Sequence, residues 1–277
     1  LVPLDGSGLA EKEKRFWTAM SLAQNSGAEV CLVTIASGKP GDLENGDSEL
    51  YLEEMSSSLR LSGFNTCFHV GTGSAARSIG RIAEGEQADM VVMTTRGRSG
   101  ITRGLLGSVT DAVISESSVP VYVVRSDNAP RTIEEAVLSS GVIVPLDGSE
   151  LAETALDDAI GLSQSSLSPI YLLRVVDSHS SPEDRDLAGA YLERLSERLA
   201  QQKILAIPEL MTGHAGESII GAMNSRPGSV VVMTTRGAGG LTRWIRGSVA
   251  DWLIQRAPGA VVVVSPKQQA LLGSVIH

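Results

Sequence analysis

The chain has no excess of basic residues and no long apolar run, and each absence excludes a class of protein. Its 23 Lys and Arg stand against 32 Asp and Glu, a formal net charge of -9 at pH 7. Nonspecific nucleic-acid binding needs a net basic surface, so we expect no nucleic-acid partner. No apolar run reaches the roughly 20 residues of a membrane span, and the first residues are not a signal peptide. We therefore expect a cytoplasmic protein with no membrane partner, preceded by a few residues because Leu1 is not Met.

Cysteine and histidine are scarce as well. The two cysteines, Cys31 and Cys67, each lie in an apolar run typical of a strand. A free cysteine often acts as a small buried hydrophobic residue, so we predict no disulfide and a reducing compartment. The four histidines have no spacing, to each other or to cysteine, that is typical of a zinc site. The sequence therefore predicts no metal ligands.

The chain does contain a duplication. Three segments recur in the same order: "VPLDGSGLAE" returns as "VPLDGSELAE", "TGSAARSI" as "TGHAGESI", and "VVMTTRG" unchanged. Because the repeat has the size of a domain, it predicts two fused domains rather than a solenoid. We place the first domain at residues 1–126 and the second at 141–266, with a polar linker at 127–140 and a C-terminal tail at 267–277.

Each copy alternates short apolar runs with segments of helical period. Runs such as "DMVVMTT" and "GAVVVVS" are almost continuously apolar. That pattern is typical of parallel strands covered by helices on both faces of a sheet, so we predict an α/β fold. Ligands of such sheets bind beyond the carboxyl ends of the strands.

The segments "TTRGRSGITRGLLGSVTD" and "TTRGAGGLTRWIRGSVAD" link an apolar run to the next helix signal. Both have the spacing Gly-x2-Gly-x6-Gly-Ser and three arginines before the serine, with no acid among them. Glycine allows close backbone approach, a helix amino terminus binds anions, and arginine pairs well with phosphate. We predict phosphate binding; the alternative is an ordinary helix cap with solvated arginines. The motif residues are Gly97, Gly100, Gly107, Ser108, Gly237, Gly240, Gly247 and Ser248.

The tripeptide Pro-Leu-Asp ends the first strand of each copy. The aspartates, Asp5 and Asp147, would stand at the tip of a central strand, where a carboxylate accepts hydrogen bonds from a ribose or a base. An aspartate there also forms an Asx-turn or caps the following helix. From the residues alone these two interpretations stand equal.

The Pro-Leu-Asp strand ends, the "TGSAARSI" helix start and the Gly-Ser-Val loop together resemble the universal stress protein family, over essentially the whole chain. The resemblance implies two tandem open-twisted five-stranded parallel sheets of strand order 3-2-1-4-5, with helices on both faces. It also implies a member of the ATP-binding type, in which each domain binds ATP or AMP, with or without Mg²⁺.

The same resemblance implies which residues contact the nucleotide. The first-strand ends would line the adenosine, the end of the second strand would meet adenine through its backbone, and the glycine loop would hold the phosphates. In the first copy these residues are Pro3, Leu4, Asp5, Ile35, Gly97, Gly100, Gly107, Ser108 and Val109. In the second copy they are Pro145, Leu146, Asp147, Val175, Gly237, Gly240, Gly247, Ser248 and Val249.

The leading hypothesis is thus a nucleotide-binding stress-response or regulatory module. The loop lacks a Walker lysine, and Ser108 and Ser248 have no histidine nearby in the sequence, so we assign no catalytic residue. The alternatives are an ATP-hydrolysing or adenylating enzyme of a related fold, and a nucleotide-free scaffold that acts through protein contacts.

The last strand of each copy is apolar and lies at a sheet edge in the implied fold, "VPVYVV" in one copy and "GAVVVV" in the other. Exposed edges favour pairing with another strand. In the resembled family the last strands pair across a dimer axis. We therefore expect the two domains to form an intramolecular pseudo-dimer, with a homodimer of whole chains as a further level of assembly.

Overall fold

The computed structural model describes residues 1–4, 9–36, 45–95, 107–125, 132, 136, 138–234 and 248–265. The chain divides into two compact units, Leu1–Val137 and Leu138–His277. Both units alternate strands with helices, so the predicted α/β class is confirmed.

The first unit contains five strands and four helices among its described residues. In chain order they are β1 (Val2–Leu4), α1 (Leu9–Ser26), β2 (Val30–Ala36), α2 (Asn45–Leu61), β3 (Thr66–Thr72), α3 (Ala75–Gly85), β4 (Val91–Thr94), α4 (Ser108–Glu116) and β5 (Val121–Val124). The second unit repeats this order. Its elements are β6 (Val142–Pro145), α5 (Glu150–Glu153), α6 (Ala155–Ser166), β7 (Ile170–Val176), α7 (Pro182–Gln201), β8 (Ala206–Thr212), α8 (Ala215–Asn224), β9 (Val230–Thr234), α9 (Ser248–Arg256) and β10 (Val261–Val264).

The strand order within each unit agrees with the prediction. In the second unit the parallel strands follow the order β8-β7-β6-β9-β10. In the first unit β3, β2 and β1 pair in parallel, as do β4 and β5. The Val92 N–H donates to the Leu1 carbonyl at 2.8 Å, which places β4 beside β1. The order 3-2-1-4-5 is thus confirmed, and all carboxyl strand ends of a unit lie along one edge.

The central strands are buried on both faces because their side chains are almost all apolar. Ile143, Leu172 and Val231 have no measurable exposure, and all four residues of β10 are buried. β-branched side chains pack well on a pleated surface, and helices cover both faces. The continuous apolar runs of the sequence therefore become the core of each unit.

Local signals fix where several helices begin. Ser181 accepts a hydrogen bond from the Asp184 N–H at 3.1 Å, and Asp184 accepts one from the Ser181 N–H at 3.3 Å. This capping box satisfies two helix-end donors, and Pro182 supplies a preset φ at the first position of α7. The helices thus start close to the carboxyl edge of the sheet.

Gly141, just before β6, has a backbone conformation that a larger residue would strain. Its φ is +107°, and a Cβ placed there would lie 2.6 Å from Tyr171 Cε2 and 2.8 Å from the Pro169 carbonyl oxygen. We expect Gly141→Ala to lower the free energy of unfolding by about 1–3 kcal/mol, measured by urea denaturation. The matched control is Gly161→Ala inside α6, where a Cβ meets nothing within 4 Å. It should raise stability by up to about 1 kcal/mol, and equal losses in both variants would contradict the argument.

Asp158 on α6 makes the stability of the second unit depend on pH. Burial, helped by repulsion from Asp157, raises the pKa of the Asp158 carboxyl from 3.8 to about 6. The folded state therefore holds this proton more tightly than the unfolded state, and stability falls as pH rises from about 4 to about 6. We expect Asp158→Asn to raise the urea midpoint at pH 7 and to flatten its change over this window. Asp157→Asn, at an exposed position, should have a smaller effect; an unchanged profile in Asp158→Asn would contradict the assignment.

Candidate functional site

The amino end of α4 lies directly at the carboxyl end of β4. The Thr110 hydroxyl donates to the Thr94 carbonyl at 3.0 Å, and the Thr110 side chain is buried. Ser108 and Val109, ahead of it, are exposed. The first N–H groups of any helix have no acceptor within the helix and carry its positive dipole end. The predicted residues Ser108 and Val109 thus lie at an exposed helix start on the carboxyl edge of the sheet, where backbone N–H groups can attract an anion.

The chain closes a loop at the same place. It leaves β4 at Thr95 and returns at Gly107, whose N–H donates to the Thr95 carbonyl at 2.7 Å. Thr95 in turn donates its N–H to the Val124 carbonyl at 3.0 Å. Thr95 and Gly107, which flank residues 96–106, are thereby held against the sheet.

The first-strand end of the same unit is buried. Pro3 and Leu4 are both inaccessible, and the Leu4 carbonyl accepts a hydrogen bond from the Thr34 hydroxyl at 3.3 Å. Ile35, the next residue of β2, is half-buried near the carboxyl end of that strand. Because β1 lies between β2 and β4, these residues and the start of α4 share one edge, as the resemblance implies.

In the second unit the aspartate of Pro-Leu-Asp builds a turn. Asp147 Oδ1 accepts from the Ser149 N–H at 3.0 Å and from its hydroxyl at 2.5 Å, and Ser149 caps α5. Pro145 is half-buried and Leu146 is buried, and the Leu146 N–H donates to the Leu173 carbonyl at 2.8 Å. The Asx-turn interpretation is therefore confirmed for Asp147. A carboxylate accepts several hydrogen bonds, so this role does not exclude contact with a ligand.

The end of β7 is tied to the turn that follows β8. Val175 is half-buried, and the Val176 carbonyl accepts the Gly213 N–H at 2.9 Å. The second unit also has a feature that its sequence repeat did not reveal. Arg174 extends over Gly148, so that a Cβ on Gly148 would meet its Nη1, and its guanidinium stands 5.3 Å from the centre of the Tyr191 ring. The first unit has Thr34 at the matching place of β2, so the two units differ by one cation at this position.

Several predicted residues lie outside the part of the chain that the structure describes. They are Asp5, Gly97, Gly100, Gly237, Gly240 and Gly247. Of the second loop motif, Ser248 and Val249 are described; they begin α9 and are exposed and half-buried. Among the described residues, the predicted strand ends and helix starts of each unit lie along the same edge of its sheet.

A separate cleft of about 650 Å³ lies in the first unit between α1 and α2. Its lining includes Met20, Ala23, Met55, Leu59 and Phe64, with polar groups at one end. Met20, Ala23, Met55 and Leu59 lie in the carboxyl halves of the two helices, and Phe64 lies just before β3, away from the carboxyl ends of the strands. It is therefore not the predicted phosphate site.

Comparison with known proteins decides the family. A model of the universal stress protein family matches residues 1–125 and again residues 141–265. The chain belongs to the universal stress protein family. The tandem arrangement that the duplicated segments predict agrees with two successive matches.

Individual relatives agree with this assignment. A universal stress protein of Mycobacterium tuberculosis is 29% identical over 190 residues, which cover 64% of this chain and 62% of that protein. One from Methanocaldococcus jannaschii is 31% identical over 138 residues, covering 45% of this chain and 80% of that protein. The crystal structure of a universal stress protein from Archaeoglobus fulgidus is similar with a TM-score of 0.74 and 21% identity, covering 95% of this chain and 98% of the other. That likeness shows the fold.

In this universal stress protein the hydroxyl of Thr110 was not recognised from the sequence. The only signal was its place two residues after the Gly-Ser pair, and the second unit has Ala250 there, without a hydroxyl. The position of Arg174 over Gly148 was not predicted either, because a single charged residue near the end of a strand is common and indicates no particular contact. Both roles depend on packing between elements that are distant along the chain.

Thr110→Val should loosen the start of α4. The variant keeps the shape of the side chain but removes the donor to the Thr94 carbonyl, which costs about 1 kcal/mol. We expect faster amide hydrogen exchange in residues 108–111, with little change in β2 or β3. Thr110→Ser keeps the hydroxyl and should exchange like the parent chain. Unchanged exchange in Thr110→Val would show that the bond does not hold the helix start.

Proposed function

We propose that this protein is a nucleotide-binding universal stress protein in which each domain binds one adenine nucleotide, ATP or AMP. Membership in the family and the Gly-x2-Gly-x6-Gly-Ser sequence in both domains support the proposal. The observation that carries it is the exposed start of α4, held at the carboxyl edge of β4 by the Gly107–Thr95 and Thr110–Thr94 hydrogen bonds.

The proposed binding mode follows from the chemistry of this edge. Phosphate oxygens would accept hydrogen bonds from the backbone N–H groups of Ser108 and Val109 in the first unit, and of Ser248 and Val249 in the second. The arginines of the glycine motif would add positive charge. The adenosine would lie over the ends of β1 and β2, and of β6 and β7. Mg²⁺ would bridge phosphates rather than occupy a site made of protein ligands alone.

The protein would act as a regulatory module rather than as an efficient enzyme. Among the described residues, His69 pairs with Glu86 and His179 with Asp177 rather than with either serine. Nucleotide binding at the carboxyl edges of the two sheets would make the state of the protein depend on the nucleotide concentration. The two sites are expected to differ in affinity, since Arg174 stands at the second ligand edge and Thr34 at the first.

The first experiment identifies small molecules released from the denatured protein, and then measures ATP, AMP and adenosine binding by calorimetry with and without Mg²⁺. Adenine nucleotide bound at two per chain supports the proposal. Rapid magnesium-dependent ADP release would favour the enzyme alternative. No binding of any of the three ligands would favour the nucleotide-free scaffold.

Ser108→Asp and Ser248→Asp test the phosphate contacts without harming the fold. An acidic residue in the first turn of a helix stabilises it, but it repels a phosphate at the same place. We expect each variant to bind ATP at its altered site at least about tenfold more weakly, with adenosine binding nearly unchanged. The control is Ser57→Asp, which adds the same charge at an exposed position of α2. Equal ATP affinity in all four proteins would contradict phosphate binding at these helix starts.

A further inference from the structure

Three potential metal ligands meet in the first unit, at the amino half of β2 and β3. Cys31 and Cys67 are direct partners in the parallel register, and His69 lies two residues further on β3 and so on the same face as Cys67. The two sulfur atoms and a ring nitrogen of His69 all lie within 4.8 Å of one another. Cys31 is buried, whereas Cys67 and His69 are half-buried, so the cluster is reachable from solvent on one side.

Carboxylates stand beside the cluster, as does the amino group of Leu1. His69 Nε2 lies 3.0 Å from Glu86 Oε1, and a histidine that is oriented by a carboxylate is the usual arrangement around a bound metal. Glu29 and Glu86 both act electrostatically on Cys67. Glu86 directly follows α3, whose carboxyl end carries the negative end of the helix dipole.

The second unit supplies an internal comparison. At the matching places of its strands it has Tyr171 opposite Ile207, and Glu209 two residues further on. There the guanidinium of Arg226 stands 4.0 Å from the centre of the Tyr171 ring and pairs with Glu209. Arg226 takes the place that Glu86 has in the first unit. One copy thus fills this position with its own cation, and the other presents two thiols, an imidazole and a carboxylate.

We propose that Cys31, Cys67 and His69 form a binding site for a thiolate-preferring d¹⁰ cation, Zn²⁺ or Cu⁺. Zn–S distances of about 2.3 Å and Zn–N distances of about 2.0 Å in a tetrahedral site place the two sulfurs about 3.8 Å apart and each sulfur about 3.5 Å from the nitrogen. All three atoms lie within 4.8 Å of one another, so each pair needs to close by about 1.3 Å at most. The two thiol protons pass to solvent as the metal binds. Three ligands suffice for Cu⁺, and Glu86 or a water molecule completes the four that Zn²⁺ takes.

This site is independent of the proposed nucleotide site. It lies at the amino half of β2 and β3, whereas the nucleotide would bind at the carboxyl edge. Metal binding would stabilise the first unit alone, since the second unit lacks the ligands. The expected stoichiometry is therefore one ion per chain, although the chain contains two copies of the fold.

The experiment uses the full chain, reduced and treated with a chelator. Co²⁺ is added as a spectroscopic probe, and we expect a thiolate-to-cobalt charge-transfer band and the strong visible bands of tetrahedral Co²⁺, saturating at one ion per chain. Zn²⁺ should displace the cobalt. Cu⁺ is titrated separately against bicinchoninate, and the ion bound more tightly at equal free concentration identifies the metal class. Because the chain has only two cysteines, the thiolate band reports on this cluster alone.

Cys67→Ser and His69→Gln should each weaken binding at least about a hundredfold. His179→Gln, which changes an exposed histidine of the second unit, should leave binding unchanged. Thermal melting in the presence of chelator identifies any variant that fails to fold, and Cys67→Ser is nearly isosteric. The proposal is overturned if no thiolate band appears with Co²⁺ and no Cu⁺ is bound, or if folded Cys67→Ser binds as tightly as the parent chain.

Discussion

The common direction of the strands is the constraint on which the rest of this molecule depends. Parallel strands put every carboxyl end of a unit on one edge, and each helix returns the chain to the opposite edge. Leu4, Ile35 and Ser108 are far apart in sequence, but they share one edge because of the strand direction alone. The amino edge gathers a different set, including Cys31 and Cys67. Chemistry at the two edges can change separately because the buried strands between them are rigid and apolar.

Two hydrogen bonds of the first unit join the end of β4 to the start of α4. The Gly107–Thr95 bond is made by backbone atoms alone, so it does not depend on the identity of any side chain. The Thr110–Thr94 bond needs a hydroxyl, and Ala250 dispenses with it in the second unit. The side-chain bond is therefore particular to the first copy, whereas the backbone bond depends on no side chain.

Much of the fold could be predicted from sequence because the signals are local. Continuous Val and Ile runs indicate buried strands, and the repeated segments indicate two units with the same strand order. The Pro-Leu-Asp and Gly-Ser segments indicate the carboxyl edge of each sheet for the same reason, since each marks the end of a strand or the start of a helix. The role of Asp147 needed the structure, because a turn and a ligand contact use the same carboxylate. The Cys31–Cys67–His69 cluster was invisible as a spacing, since its ligands come from two strands whose register no linear pattern reveals.

Duplication within one chain has a consequence for how the two copies diverge. In a symmetric homodimer of single-domain chains every substitution appears in both subunits. The two copies of a site therefore cannot carry different residues. A fused pair escapes this restriction. Glu86 with His69 in one copy and Arg226 with Glu209 in the other are opposite charge arrangements at the same position of the same fold. Covalent fusion thus allows the two domains of this protein to differ at one position in a way that symmetry would forbid.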